Sequence, residues 1–379
     1  MNACGRAQRA AKALVLSVLA GGCSSHSANA PASNDASASP NDGAPMTVAD
    51  ATMVSSDDAA ANDAAANDAS PADAGECVGA PPAAIILGTG QSGPAGIVVD
   101  GSFAYWANHN DGTIMRAPVD GSSAATVFAT NQGQPHSLAI DSTSVYWTDN
   151  AGGNVVRGAI ADGTVLTIAS GQGGAQGIAV DGVNVYWTLG GSGSTAVMMA
   201  PKASTVANQG VTVAATGGSG PQGVATDGVR IYWVTFYGDT VQAATIDGGS
   251  PVTFATSQSY PEGIAVDSHD VFWTTTTTVM GAALDGGTPF VVATGQDNPT
   301  SGGLNTDVAI AIDSANVYWV DYGAGNVNKA ARTGGSATAI ATGTHPLGIT
   351  IDATSVYYTD YGAGTVTKTP KCATAAGDF

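Results

Sequence analysis

Gly177-Ile-Ala-Val-Asp181-Gly-Val-Asn-Val-Tyr186-Trp187-Thr188 is one copy of a pattern that recurs along the whole second part of the chain. Its Asp returns at Asp100, Asp141, Asp181, Asp227, Asp267, Asp313 and Asp352, at intervals of 39 to 46 residues. Five residues after each Asp stands an aromatic pair: Tyr105-Trp106, Tyr146-Trp147, Tyr186-Trp187, Tyr232-Trp233, Phe272-Trp273, Tyr318-Trp319 and Tyr357-Tyr358. All 6 Trp of the protein lie in these pairs. A fixed period near 40 with strand-like content signals a repeat architecture.

Each unit reads as four short strands. In the second, Ser137–Ile140 and Ser144–Thr148 flank the turn after Asp141. Val155–Ile160 and Val165–Ala169 then flank Asp162-Gly163, a hairpin signal between runs rich in Val and Thr. No long helical periodicity appears after residue 83. Four-stranded units of this length are propeller blades, so the expected fold is an all-β, seven-bladed β-propeller. Ala84-Ile-Ile-Leu-Gly88 matches a fourth strand but precedes the first unit, whereas the last unit stops after its third strand at Cys372. Ile85–Leu87 is therefore expected to complete the last blade.

The units resemble YWTD/NHL-type propellers through Tyr146-Trp-Thr-Asp149, Tyr318-Trp-Val-Asp321 and Tyr357-Tyr-Thr-Asp360. The Pro-x-Gly and Trp-Thr pattern is also similar to that of streptogramin (virginiamycin B) lyases. That second resemblance implies two His and a Glu beside a divalent metal on one face. His136 and Glu262 suit such a place, and no second His matches by motif.

Four segments follow. Residues 1–23 read as a lipoprotein-type signal peptide: Arg6, Arg9 and Lys12, an apolar run from Ala13 to Ala20, then Gly21-Gly22-Cys23. Leu19-Ala-Gly-Gly-Cys23 resembles the bacterial lipoprotein processing box, which makes Cys23 the expected lipidation site and the cell envelope the expected location. Residues 24–82 are Ala, Ser, Asp, Asn and Pro, without Lys or Arg, and read as a disordered tether. Residues 83–372 form the propeller and 373–379 a short tail. An exported chain with Cys77 and Cys372 near the two ends of its folded part is expected to pair them.

Charge narrows the partners. The 379 residues hold 30 Asp and Glu against 11 Lys and Arg, a net charge of −19. Nucleic acid is not an expected ligand, since phosphate neutralisation needs a basic surface. The seven repeated Asp read as turn acceptors, because turn geometry needs such a group once per blade and chemistry needs it once. Gly88-Thr-Gly-Gln-Ser-Gly93 fits G-x-G-x-x-G, but no helix follows to receive a pyrophosphate.

Differences between repeats carry the functional expectation. The middle residue of the Pro-x-Gly segment is Ala95, His136, Gln176, Gln222, Glu262, Val308 and Leu347 through the seven blades. It is expected to face the central channel at one end. His136, Gln176, Gln222 and Glu262 would form a polar arc opposite an apolar one, an arrangement suited to a small ligand. His109, Tyr237, Tyr322 and Tyr361, in the loops after the second strands, would form its rim. The connection Gln296–Asp307 carries Asp297, Asn298, Asn305 and Asp307, a set compatible with a cation or with an ordinary polar insertion. No cofactor is required, although a divalent cation is compatible with the face. The expected function is a non-catalytic binding module for a protein, glycan or small ligand, with membrane contact through the lipid anchor only. The alternatives are a metal-assisted lyase or hydrolase and a structural surface protein.

Overall fold

A computed structural model of the chain describes residues 83–296 and 310–372. The expected signal segment and tether, Cys23, Cys77, the loop residues Asp297, Asn298, Asn305, Asp307 and Val308, and residues 373–379 lie outside them. The described residues form seven four-stranded antiparallel sheets and no helix. The protein is a seven-bladed β-propeller.

The second blade shows the plan: Pro135–Ile140, Ser144–Asp149, Asn154–Ala159 and Val165–Ser170, ordered from first to fourth strand. Each first strand opens a blade at one end of the ring, here called the entry face. The Asp turn closes it at the other end. The last blade combines Pro346–Ile351, Ser355–Asp360 and Thr365–Pro370 with Ile85–Gly88 as its fourth strand. Ile85 pairs with Lys368 and Ile86 with Thr367, and a bulge shifts the next pairing to Gly88 and Val366. The ring is thus closed by a strand from before the first blade.

Period-2 alternation explains the aromatic pairs. Neighbouring residues of a strand point to opposite faces of the sheet. Tyr146 therefore packs forward against Trp187 of the next blade, and Trp147 backward against Tyr105 of the preceding one. Seven such apolar clusters fill the seven interfaces, and the last joins Tyr357, Val366 and Leu87 to Trp106 and Ile97. All 6 Trp are fully buried there.

Each repeated Asp serves its turn, as expected. Asp141 Oδ1 accepts the N–H groups of Thr143 and Ser144, and Oδ2 accepts the Tyr146 hydroxyl at 3.0 Å. The same Asp–Tyr bond occurs at Asp100–Tyr105, Asp181–Tyr186, Asp227–Tyr232, Asp313–Tyr318 and Asp352–Tyr357. In the fifth blade Phe272 has no hydroxyl. There the guanidinium of Arg332 binds Asp267 and Asp270 and lies 4.9 Å from the Phe272 ring centroid.

The Gly-rich connections have a structural use that composition did not disclose. Gln91 Oε1 accepts the Trp106 indole N–H at 3.0 Å. Gln132, Gln172, Gln258 and Gln296 do the same for Trp147, Trp187, Trp273 and Trp319. The G-x-G-x-x-G stretch at 88–93 is such a turn, with Gly90 and Gly93 at φ of 65° and 67°.

Candidate functional site at the entry face

The Pro-x-Gly segments are clamped between blades. A Cβ on Gly96 would collide with the His136 carbonyl oxygen, one on Gly223 with that of Glu262, and one on Gly348 with that of Ala95. The glycine therefore lets successive blades approach backbone to backbone. The Thr of the Tyr-Trp-Thr segment reinforces the clamp. Thr148 Oγ1 donates to the Gln176 carbonyl at 2.6 Å, and Thr188 Oγ1 to that of Gln222 at 2.5 Å.

This clamping fixes where the predicted residues lie. His136, Gln176, Gln222 and Glu262 are all buried, as are Ala95 and Leu347. They form a buried polar crown at the entry end of the axis rather than the wall of a water-filled channel. Below the crown the axis is apolar. A cavity of about 60 Å³ is lined by one branched residue from every blade, namely Ile97, Leu138, Ile178, Val224, Ile264, Ile310 and Ile349, with their strand neighbours.

The rim divides by position. His109, Tyr322 and Tyr361 stand three residues after Trp106, Trp319 and Tyr358, and each is partly buried. Each reaches towards the entry segment of the following blade. The His109 ring meets that of His136 edge-on at 5.8 Å, Tyr322 stacks on His345 at 4.7 Å, and the Tyr361 hydroxyl lies 3.4 Å from Asn110 Oδ1. Tyr237 sits one position further out and is exposed. The true counterpart of Tyr322 in its blade is Phe236, which counting from Trp233 would have found. In the third blade this position is Gly190, and the Gln176 side chain occupies the space that a Cβ there would need.

Three acceptor atoms in this region have no protein donor. Gln176 Oε1, His109 Nδ1 and the neighbouring Asn108 Oδ1 are buried without a hydrogen-bond partner. Burial also holds the His109 imidazole below its ordinary pKa, against the smaller opposing pull of the Pro135 carbonyl and the Asp149 carboxylate. His109 is consequently neutral at pH 7, which fits an unprotonated ring nitrogen serving as acceptor.

The electrostatics of the two ends differ. Among the described residues, no Lys or Arg occurs in the entry-face loops, which hold Asp111, Asp239 and Glu262. Lys202, Arg332 and Lys371 follow third strands at the opposite end, where each donates its backbone N–H across a bottom turn. Arg157, Lys329 and Lys368 reach carbonyls at that same end. His269 also lies there, exposed, with Nδ1 2.8 Å from the Ser268 hydroxyl.

Comparison with solved structures places this geometry. Virginiamycin B lyase from Staphylococcus aureus superposes with a TM-score of 0.60 at 16% identity, covering 76% of this chain and 98% of that one. Kuenenia stuttgartiensis hydrazine synthase gives 0.61 at 15% identity, covering 75% and 97%. The designed Ika8 protein gives 0.52 at 14% identity, covering 76% and 98%. At these identities the likeness is one of fold. No protein-family model and no curated protein matches the chain.

The metal site implied by the lyase resemblance does not fit the residues described. His109 and His136 adjoin, but no group of three or more His, Cys, Asp or Glu converges among the described residues.

Proposed function

We propose that the chain is a non-catalytic binding propeller whose ligand enters at the entry face. The observation that carries this reading is the set of buried acceptors without protein donors at the polar crown and its edge, Gln176 Oε1, His109 Nδ1 and Asn108 Oδ1. A buried acceptor left unmatched costs about 1–3 kcal/mol, so a native fold retains one where something outside the chain satisfies it. The ligand is therefore a small molecule or side chain bearing N–H or O–H donors. Its charge is neutral or positive, because the described residues of this face include acidic groups and no Lys or Arg.

Thermal-shift titration with small primary amides, on the wild type and on Gln176→Leu and His109→Phe, tests the reading. The wild type should be stabilised in a saturable way and both variants should lose that response. Equal responses in all three would overturn the assignment of the face.

The same reading includes an exported, envelope-anchored form, acylated at Cys23 and cross-linked between Cys77 and Cys372. Intact-mass analysis of membrane-extracted protein, before and after thiol reduction and alkylation, tests both modifications.

A further inference from the structure

The fourth and fifth blades meet at the entry face in an aromatic cluster that the blade architecture does not require. Phe236 lies 5.1 Å from Tyr237, edge to face, and 5.0 Å from Tyr260. Phe236 is partly buried, whereas Tyr237 and Tyr260 are 53% and 49% exposed. Tyr237 packs on Gly220 and Tyr260 on Phe236, yet about half of each side chain stays open to solvent.

Tyr260 is also held in an unfavourable backbone conformation, at φ of 47°. The residue at the same place before the first strand is Gly93 in the first blade, Gly174 in the third and Gly220 in the fourth, with φ of 67°, 77° and 63°. A tyrosine in the left-handed region costs about 1–2 kcal/mol relative to an ordinary conformation, and Pro261 restricts it further. Glycine would remove that cost. The structure instead anchors the strained residue, because Asp239 Oδ1 accepts the Tyr260 N–H at 3.0 Å. Asp239 itself stands at φ of 51°, where the first, second, sixth and seventh blades have Gly112, Gly153, Gly325 and Gly364. The fifth blade's entry segment thus brings an exposed ring and a carboxylate side by side at left-handed positions that glycine fills in three and four other blades respectively. Strain that persists at a half-exposed ring points to function.

From this we infer that Tyr260, Phe236 and Tyr237, with Asp239, form a binding platform for a small quaternary-ammonium solute. Ring faces attract a desolvated organic cation through their quadrupole. Asp239 supplies a countercharge, and among the described residues no Lys or Arg on this face competes for it. A neutral ligand of the same shape would gain the apolar contact but neither electrostatic contribution. The platform is argued from different residues than the crown around Gln176, and it stands without that site.

The probe is choline, compared with its neutral isostere 3,3-dimethylbutan-1-ol, titrated into the full mature chain and followed by NMR. Choline should bind at least fivefold more tightly than the alcohol. Tyr260→Gly should weaken choline at least fivefold while leaving the melting temperature unchanged or higher, since the glycine relieves the backbone. Tyr237→Ala, at an exposed position, should weaken choline in the same direction. Tyr260→Gly should leave the stabilisation of the crown by small primary amides unchanged, which separates this platform from the crown. Equal affinity for the two probes, unaltered choline binding in Tyr260→Gly and Tyr237→Ala, or a lowered melting temperature in Tyr260→Gly would each overturn the proposal.

Discussion

Thr359 Oγ1, in the last blade, donates to the carbonyl oxygen of Ala95, in the first, at 2.6 Å across 264 residues of sequence. The same hydroxyl accepts the Gly348 N–H at 2.8 Å. The bond is the seam copy of those from Thr148 and Thr188, so the closing interface is built like the interior ones. Thr359→Val keeps the shape but leaves a buried carbonyl and a buried N–H unmatched. Urea denaturation should show a loss of about 1–3 kcal/mol, and Thr188→Val should cost a similar amount.

Close approach of blades gives a second prediction. Gly348→Ala would drive a methyl group into the Ala95 carbonyl, which is backbone and cannot swing away. The expected loss is about 1–3 kcal/mol. Gly173→Ala is the control. Nothing lies near its added Cβ, so stability should stay within about 0.5 kcal/mol of wild type. Equal effects at the two positions would contradict the clamp.

The Arg332 bridge makes a pH prediction. Burial alone would raise the Asp267 pKa, but the Arg332 guanidinium and the N–H groups of Asp270 and His269 outweigh it and hold the carboxyl below its ordinary value. A depressed folded-state pKa contributes stability above the unfolded value of about 3.9 and loses it as pH falls through the folded value. Arg332→Met should therefore destabilise the protein near pH 7 by about 1–3 kcal/mol. The gap between variant and wild type should narrow below about pH 4. Chemical denaturation at pH 7 and pH 3 measures both points.

The buried tyrosines extend this to alkaline pH. Burial, followed by the neighbouring Asp100 carboxylate, pushes the Tyr105 hydroxyl up to about 12. Tyr232 is pushed up to about 12 by burial and Asp227. A raised folded pKa keeps its full stabilising contribution below the unfolded value near 10 and loses it above. Spectrophotometric titration at 295 nm should show these tyrosines ionising only together with unfolding. Smooth ionisation of all 11 Tyr near pH 10 in the folded protein would contradict their placement.

The ring was legible because its chemistry is repeated. An Asp that receives a Tyr hydroxyl five residues later leaves the same mark in six blades, so Asp141 and Tyr146 announce Asp313 and Tyr318. Strand edges followed to within about two residues, as with Ser137–Ile140 expected and Pro135–Ile140 found. The Gln172–Trp187 bond was hidden, because its partners lie 15 residues apart in differently patterned segments. Burial of the crown was hidden for a related reason. Whether Glu262 faces water depends on how closely Gly223 lets two backbones approach, which is a property of the assembled ring. The Tyr260 strain becomes visible only once the three glycines at its place are known to share one backbone conformation.

Every placement at the entry face depends on ring closure by Ile85–Gly88. Hydrogen exchange on the full chain, compared with a variant carrying Ile85→Pro and Leu87→Asp, tests that claim most directly. Leu87 is buried in the seam cluster with Trp106 and Val366. Amides of Thr365–Thr369 and of the first blade should lose protection in the variant, while those of the third and fourth blades keep theirs. Unchanged protection across Thr365–Thr369 would contradict closure by this strand and, with it, the arrangement of the entry face.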